Sequence, residues 1–160
     1  MAGESMKYAL LSQEFYRKHQ NHREILQKQN RPYCIIIVQI NDLNVGIPFR
    51  SNITHKFAFF TDRKANEKSA AGLDYTKAVV LDLAVDIDYT RKAYIRPHDY
   101  KVLLDKKYRV EKGFAKFLNK YIQSVQNPDF PENKGILQNS SLQYFHGELG
   151  ITSNNVIAKE

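Results

Sequence analysis

The strongest hydrophobic signal in the chain is the unbroken, β-branched run Tyr33-Cys-Ile-Ile-Ile-Val-Gln-Ile40. Apolar residues at consecutive positions, without alternation, predict a central strand covered on both faces. Ahead of it, Lys7-Tyr-Ala-Leu-Leu11 reads as a short first strand. Between the two, Phe15, His19, His22 and Leu26 recur at helical spacing and predict an amphipathic helix over Glu14–Lys28, with Ser12 as its N-cap. Asn30-Arg31-Pro32 ends that helix, because the residue before a proline is pushed out of the α region.

After the central strand, Asn41–Asn44 is a turn and Val45–Phe49 returns as a partner strand, with Pro48 marking where regular pairing stops. Phe57–Thr61 is a further strand, and Asp62–Ala71 a polar connection. Gly72-Leu-Asp-Tyr75 is a turn into a strand over Lys77–Leu83, which continues after a bend from Val85 to Tyr89. Pro97 opens a helical region. From Tyr108, the stripe Phe114, Phe117, Leu118, Tyr121, Ile122 and Val125 has the period of a helix, which Asn127-Pro128 stops. Residues 127–160 read as irregular, apart from a short helix within Leu137–Phe145. The expectation is one α+β domain over residues 1–160, a mainly antiparallel sheet with flanking helices.

Composition narrows the function. The 160 residues carry 24 Lys and Arg against 17 Asp and Glu, a net charge of +7. The excess is uneven: residues 126–160 hold two basic and four acidic residues, so the body before them is more basic than the whole. Such a balance favours polyanionic partners, nucleic acid ahead of a membrane surface. The lone cysteine, Cys34, excludes an internal disulfide and a cysteine-based zinc cluster, and fits a reducing, cytoplasmic setting. No apolar run reaches the roughly 20 residues that span a bilayer.

No P-loop, Gly-x-Gly-x-x-Gly, His-Glu-x-x-His or Gly-x-Ser-x-Gly motif is present. Asp82, Asp86 and Asp88 read as a solvated strand edge rather than a magnesium site, and His19 with His22 lack a further ligand, so neither a metal nor another cofactor is expected. Ile47-Pro-Phe-Arg-Ser-Asn-Ile-Thr-His-Lys56 carries the most chemistry. It leaves an apolar strand and at once presents Arg50, Ser51, Asn52, Thr54, His55 and Lys56. Cations, hydroxyls and loop N–H groups suit a phosphodiester oxyanion, and His55 suits proton transfer. The plain alternative is a polar surface loop. In Gly72–Lys77, Tyr75 could stack on a base and Lys77 meet a phosphate, or Asp74 and Thr76 could be turn and cap residues.

These segments together resemble the toxin endoribonucleases of type III toxin–antitoxin systems, the ToxN/AbiQ group and its CptN- and TenpN-like branch. The resemblance rests on Tyr8-Ala-Leu-Leu11, Arg31-Pro-Tyr33 before the hydrophobic strand, Ile47-Pro-Phe-Arg-Ser51, His55-Lys56, Gly72–Lys77 and the closing helix, over residues 7–125. It implies a twisted antiparallel sheet like that of MazF and Kid toxins. It also implies metal-independent RNA cleavage to a 2′,3′-cyclic phosphate and a 5′-OH, and inhibition by a small pseudoknotted antitoxin RNA within an RNA–protein hetero-oligomer, in a phage-defence role. The substrate would be cellular or phage RNA. The family's Pro-x-(Thr/Ser)-Ser element falls on Pro48–Ser51, which singles out Ser51. Arg50 stands where ToxN has threonine, and Arg31 where it has lysine. The catalytic candidates are thus Ser51, Arg50, Arg31, His55 and Lys56, with Tyr33, Asn52, Thr54, Tyr75, Thr76 and Lys77 as RNA contacts. The alternatives are a non-catalytic RNA-binding module and a MazF-like RNase held by a protein antitoxin.

Overall fold

A computed structural model describes residues 6–26, 34–63, 70–152 and 156–157. Strand β1 (Lys7–Leu10) pairs antiparallel with β2 (Cys34–Ile40), and β2 pairs antiparallel with the eleven-residue β3 (Leu43–Ile53) across the Asn41-Asp42 turn. β2 is therefore internal, as its β-branched run requires: Ile36 and Val38 are buried on one side, and Ile35 packs on the other. Pro48, which has no N–H to donate, is the last β3 residue opposite β2. The strand does not end there, contrary to the sequence expectation. It changes partner, and Phe49–Ile53 pairs with β5 (Ala70–Asp74), which in turn pairs with β4 (Ala58–Asp62). The short β6 (Val79–Leu81) lies against Asn44–Gly46 and completes a six-stranded antiparallel sheet.

Gly72, expected in a turn, lies inside β5 between Arg50 and Phe60. A register shift in β4 brings that strand's backbone so close that a Cβ here would meet the Phe59 carbonyl oxygen and the Phe60 Cα. Glycine is required for this approach. Only at Tyr75–Lys77 does the chain leave the sheet, as one 3-10 turn opened by the Asp74 carboxylate accepting from the Thr76 N–H.

Helix α1 (Gln13–Lys18) has the expected Ser12 cap, whose Oγ accepts from the Phe15 N–H at 3.1 Å, but stops about ten residues early. Beyond it, His22 N–H bonds the His19 carbonyl and Ile25 N–H bonds the His22 carbonyl, tightening the chain into turns. Histidine and asparagine are weak helix formers, and three apolar positions do not hold a longer helix here. The segment expected to continue as strand from Val85 is a turn: Asp82 and Asp86 side chains accept from the Ala84 and Asp82 N–H groups, and Ile87 makes a single bridge to Leu11. Of the acidic set, Asp86 pairs with Lys18 and Asp88 with Arg91.

Helix α2 (Pro97–Leu103) begins at its proline as expected, and α3 (Lys107–Gln126) lays Val110, Phe114, Phe117, Leu118 and Tyr121 on the sheet. The described part of the tail forms regular elements rather than the expected irregular chain. Helix α4 (Pro131–Asn139), a 3-10 turn at Ser141–Tyr144 and helix α5 (His146–Leu149) bury Ile136, Leu142 and Phe145, while β7 (Ile151–Thr152) pairs with β8 (Val156–Ile157). Its apolar residues are split among short elements, so no periodicity announces them. Among the described residues no helix is long and apolar enough to cross a membrane.

Candidate active site

Some of the sequence candidates belong to two side-chain networks that meet at Arg50. The first is centred on Asp74, which is fully buried. Its Oδ2 accepts from Arg50 Nη1 at 3.0 Å, and its Oδ1 from Thr76 Oγ1 at 2.6 Å and the Thr76 N–H at 2.9 Å. His55 Nε2 lies 3.2 Å from the same Oδ1. Burial alone would raise this carboxyl, but hydrogen bonds from His55, Thr76 and Arg50 outweigh it and hold Asp74 below the usual carboxylate range.

His55 cannot fill its expected proton-transfer role in this arrangement. Its Nδ1 accepts the Phe57 N–H at 3.0 Å, so the ring proton sits on Nε2 and points at Asp74. Nδ1 closes a turn within the segment between β3 and β4, and Nε2 ties that segment to Asp74. Arg50 presents one edge of its guanidinium to Asp74 and keeps the remaining N–H groups for solvent, being about one-third exposed.

The second network surrounds a hollow of about 340 Å³ lined by Phe49, Arg50, Ser51 and Gly72 from β3 and β5, and by Thr61, Tyr94, Arg96 and Asp99 from the opposite wall. Ser51 is exposed at the end of β3 that has left β2. Across from it, Arg96 Nε and Nη2 donate to the two oxygens of Asp99 at 2.8 and 3.0 Å. Thr61 Oγ1 fixes Asp99 from behind at 2.7 Å. Burial pushes Asp99 up, while Arg96 and Thr61 pull it further down, so the carboxylate is kept and the Arg96 guanidinium is raised in turn by its bond to Asp99. The guanidinium, with Asp62 a further 3.9 Å from Nη2, is held in a fixed orientation by its two bonds to Asp99 and keeps N–H donors that an incoming anion can use. His98, between Arg96 and Asp99 in sequence, donates from Nε2 to the Thr61 carbonyl at 2.8 Å when that nitrogen carries the proton, and does not itself line the hollow. At the hollow's floor, burial pushes the Cys34 thiol up to about 12, which leaves it inert as a nucleophile.

Ser51 and Arg50 thus share one hollow. Asn52 and Thr54 are exposed on the stretch that follows, Asn52 with a positive φ of 56°. Lys56 is exposed but lines a different surface, with Phe57, Lys116 and Lys120. Three expected RNA contacts are corrected, two by burial and Lys77 by its partners. Tyr75 packs against α3, and its hydroxyl donates to the Val110 carbonyl at 3.1 Å, so its ring has no open face for a base. Thr76 is buried on Asp74, and Lys77 donates to Glu24 and to the Asn139 carbonyl at 2.7 and 2.9 Å. Arg31 and Tyr33 lie outside the described residues. Sequence reasoning misses Arg96, Thr61, Asp99 and His98. The signal that could find them is Arg96-Pro-His-Asp99, which sets a cation, an imidazole and a carboxylate around the proline that opens a helix.

No family model, curated protein or solved structure matches this chain.

Proposed function

We propose that this chain is a metal-independent endoribonuclease, the toxin of a type III toxin–antitoxin pair, with the Ser51 hollow as its reaction site. One observation carries the reading: an exposed serine hydroxyl at a strand end faces a hollow walled by Arg50 and by an Arg96 pre-oriented on Asp99. In-line attack of a ribose 2′-OH builds charge on the non-bridging oxygens of phosphorus, and donors fixed in advance stabilise that charge best. Ser51 donates to one such oxygen, and the Arg96 and Arg50 guanidinium groups bind the others. The proton-transfer group is not assigned to either histidine: His55 has both ring nitrogens engaged, and His98, held on the Thr61 carbonyl, does not line the hollow. The toxin assignment, the pseudoknotted antitoxin RNA and a phage or cellular RNA substrate rest on the resemblance of Ile47–Ser51 and its neighbours to the ToxN/AbiQ group.

The test is incubation of purified protein with long single-stranded RNA in excess EDTA, with end-group analysis. Fragments bearing 2′,3′-cyclic phosphate and 5′-OH ends support the enzyme. Tight binding without cleavage supports the non-catalytic RNA-binding module instead. A short tandem-repeat RNA gene beside the coding sequence, whose transcript suppresses cleavage, supports the RNA antitoxin.

A further inference from the structure

Among the described residues, four of the five exposed aromatics, Tyr89, Tyr94, Tyr100 and Tyr108, lie in one cationic segment. Residues 89–112 hold four tyrosines and eight Lys and Arg against three Asp and Glu. Tyr89 and Tyr94 are 72% and 73% exposed, so their rings contribute little to the core. A second hollow, of about 570 Å³, lies between the β1–β3 end of the sheet and the segment after Leu83. Its lining includes Lys7, Tyr89, Arg91, Lys92 and Lys107, with Asp88 as the one acid. Asp88 accepts from Thr90 and Arg91, so its charge is met locally and Lys7 and Lys92 give the hollow its positive surplus. The Tyr89 ring is not adrift: its hydroxyl donates to the Leu83 carbonyl at 2.7 Å, which fixes the ring while leaving its face in solvent. The two hollows adjoin along the chain, since Ala93 lines this one and Tyr94 lines the Ser51 hollow.

A fixed, open aromatic face flanked by cations is the arrangement that binds a single-stranded nucleotide, by stacking on the base and ion pairing with the phosphates. We propose that this second hollow is a subsite for single-stranded RNA, stacking on Tyr89 a nucleotide that flanks the phosphodiester in the Ser51 hollow, with backbone phosphates on Lys7 and Lys92. The inference rests on the reading of the Ser51 hollow as an RNA site. An anionic membrane surface would meet exposed cations but not enter a hollow, so the concave site favours RNA.

The experiment measures binding of a fluorescent 12-nucleotide oligouridylate across a salt series, for wild type, Tyr89→Ser, Tyr89→Phe and Lys7→Ala/Lys92→Ala, each checked by thermal melting. The oligonucleotide carries 2′-O-methyluridine throughout, which removes the attacking hydroxyl so that it binds without being cut. Tyr89→Ser should weaken binding by about tenfold, the range of one lost base stack, while Tyr89→Phe stays within about twofold of wild type. The double lysine variant should flatten the salt dependence by about 1.4 in log–log slope, at about 0.7 for each phosphate no longer neutralised. Wild-type binding that all three variants retain, with the same slope, overturns the subsite and leaves the Ser51 reading standing. No wild-type binding of any single strand overturns both. Equal loss for Tyr89→Ser and Tyr89→Phe, or binding to phosphatidylserine vesicles but not to the oligonucleotide, overturns the stacking subsite.

Discussion

The same four residue types, arginine, aspartate, threonine and histidine, appear twice in this molecule, around Asp74 and around Asp99. In each, a threonine hydroxyl and an arginine hold the carboxylate, and burial is overcome so that the charge is retained. The surroundings differ. Asp74 is wholly enclosed between β3, β5 and the 3-10 turn, and its histidine has both nitrogens engaged. The Asp99 set sits at the start of α2 beside an open hollow, its arginine half-exposed and its histidine held by one nitrogen. A buried set of this kind ties elements together, because removing one member strands a charge away from water. The open set instead orients donors toward whatever enters the hollow.

Ser51 should separate the two sets most sharply. Ser51→Ala should slow single-turnover RNA cleavage about a hundredfold, the cost of one transition-state donor at about 3 kcal/mol, with the melting temperature unchanged. Near-normal cleavage by a folded variant would remove the residue from the site. The aspartates should then show opposite profiles. Asp74→Ala should cost about 3 kcal/mol of stability in urea unfolding, leaving Arg50 and Thr76 without their acceptor. Asp99→Ala should cost about 1 kcal/mol, since Arg96 can turn to water, yet reduce cleavage about tenfold by releasing the guanidinium. Equal stability losses for both variants would erase the distinction drawn between them.

Acid sharpens the comparison further. Both carboxyls titrate lower in the folded chain than in the unfolded chain. The unfolded chain therefore takes up protons first as pH falls. The stability these groups contribute is whole above about pH 4 and is lost as pH falls through their folded values. Asp74→Asn should flatten the acid limb of a stability–pH curve measured by urea unfolding, and a limb unchanged from wild type would show that other groups set it. The smallest effect belongs to Lys77→Ala. Losing its partly buried pair with Glu24 should cost about 1 kcal/mol of stability and leave the salt dependence of RNA binding as it was. A flatter salt slope would return Lys77 to the RNA interface.

Much of the scaffold is written in local pattern. The β-branched run at Cys34–Ile40, the Ser12 cap, the proline that opens α2 and the long stripe of α3 each carry their own signal, because strand pairing and helix amphipathicity repeat at short range. Residue chemistry and resemblance single out Ser51 and Arg50, and both line one hollow. What local pattern leaves out is decided by contacts between distant parts of the chain. β3 runs past Pro48 because β5 waits to replace β2 as its partner. Gly72 is strand rather than turn because β4 presses its backbone against it. Tyr75, Thr76 and Lys77 have the composition of a binding loop, yet Val110, Asp74 and Glu24 draw them inward. The described part of the tail folds because its scattered apolar residues reach the two hydrophobic clusters, Ile136, Leu142 and Ile151 one and Phe145 the other. Arg96 and Asp99 face Ser51 from about 45 positions away, a juxtaposition that no periodicity encodes, because closing that loop is rewarded only by the packing of the whole sheet and helix assembly.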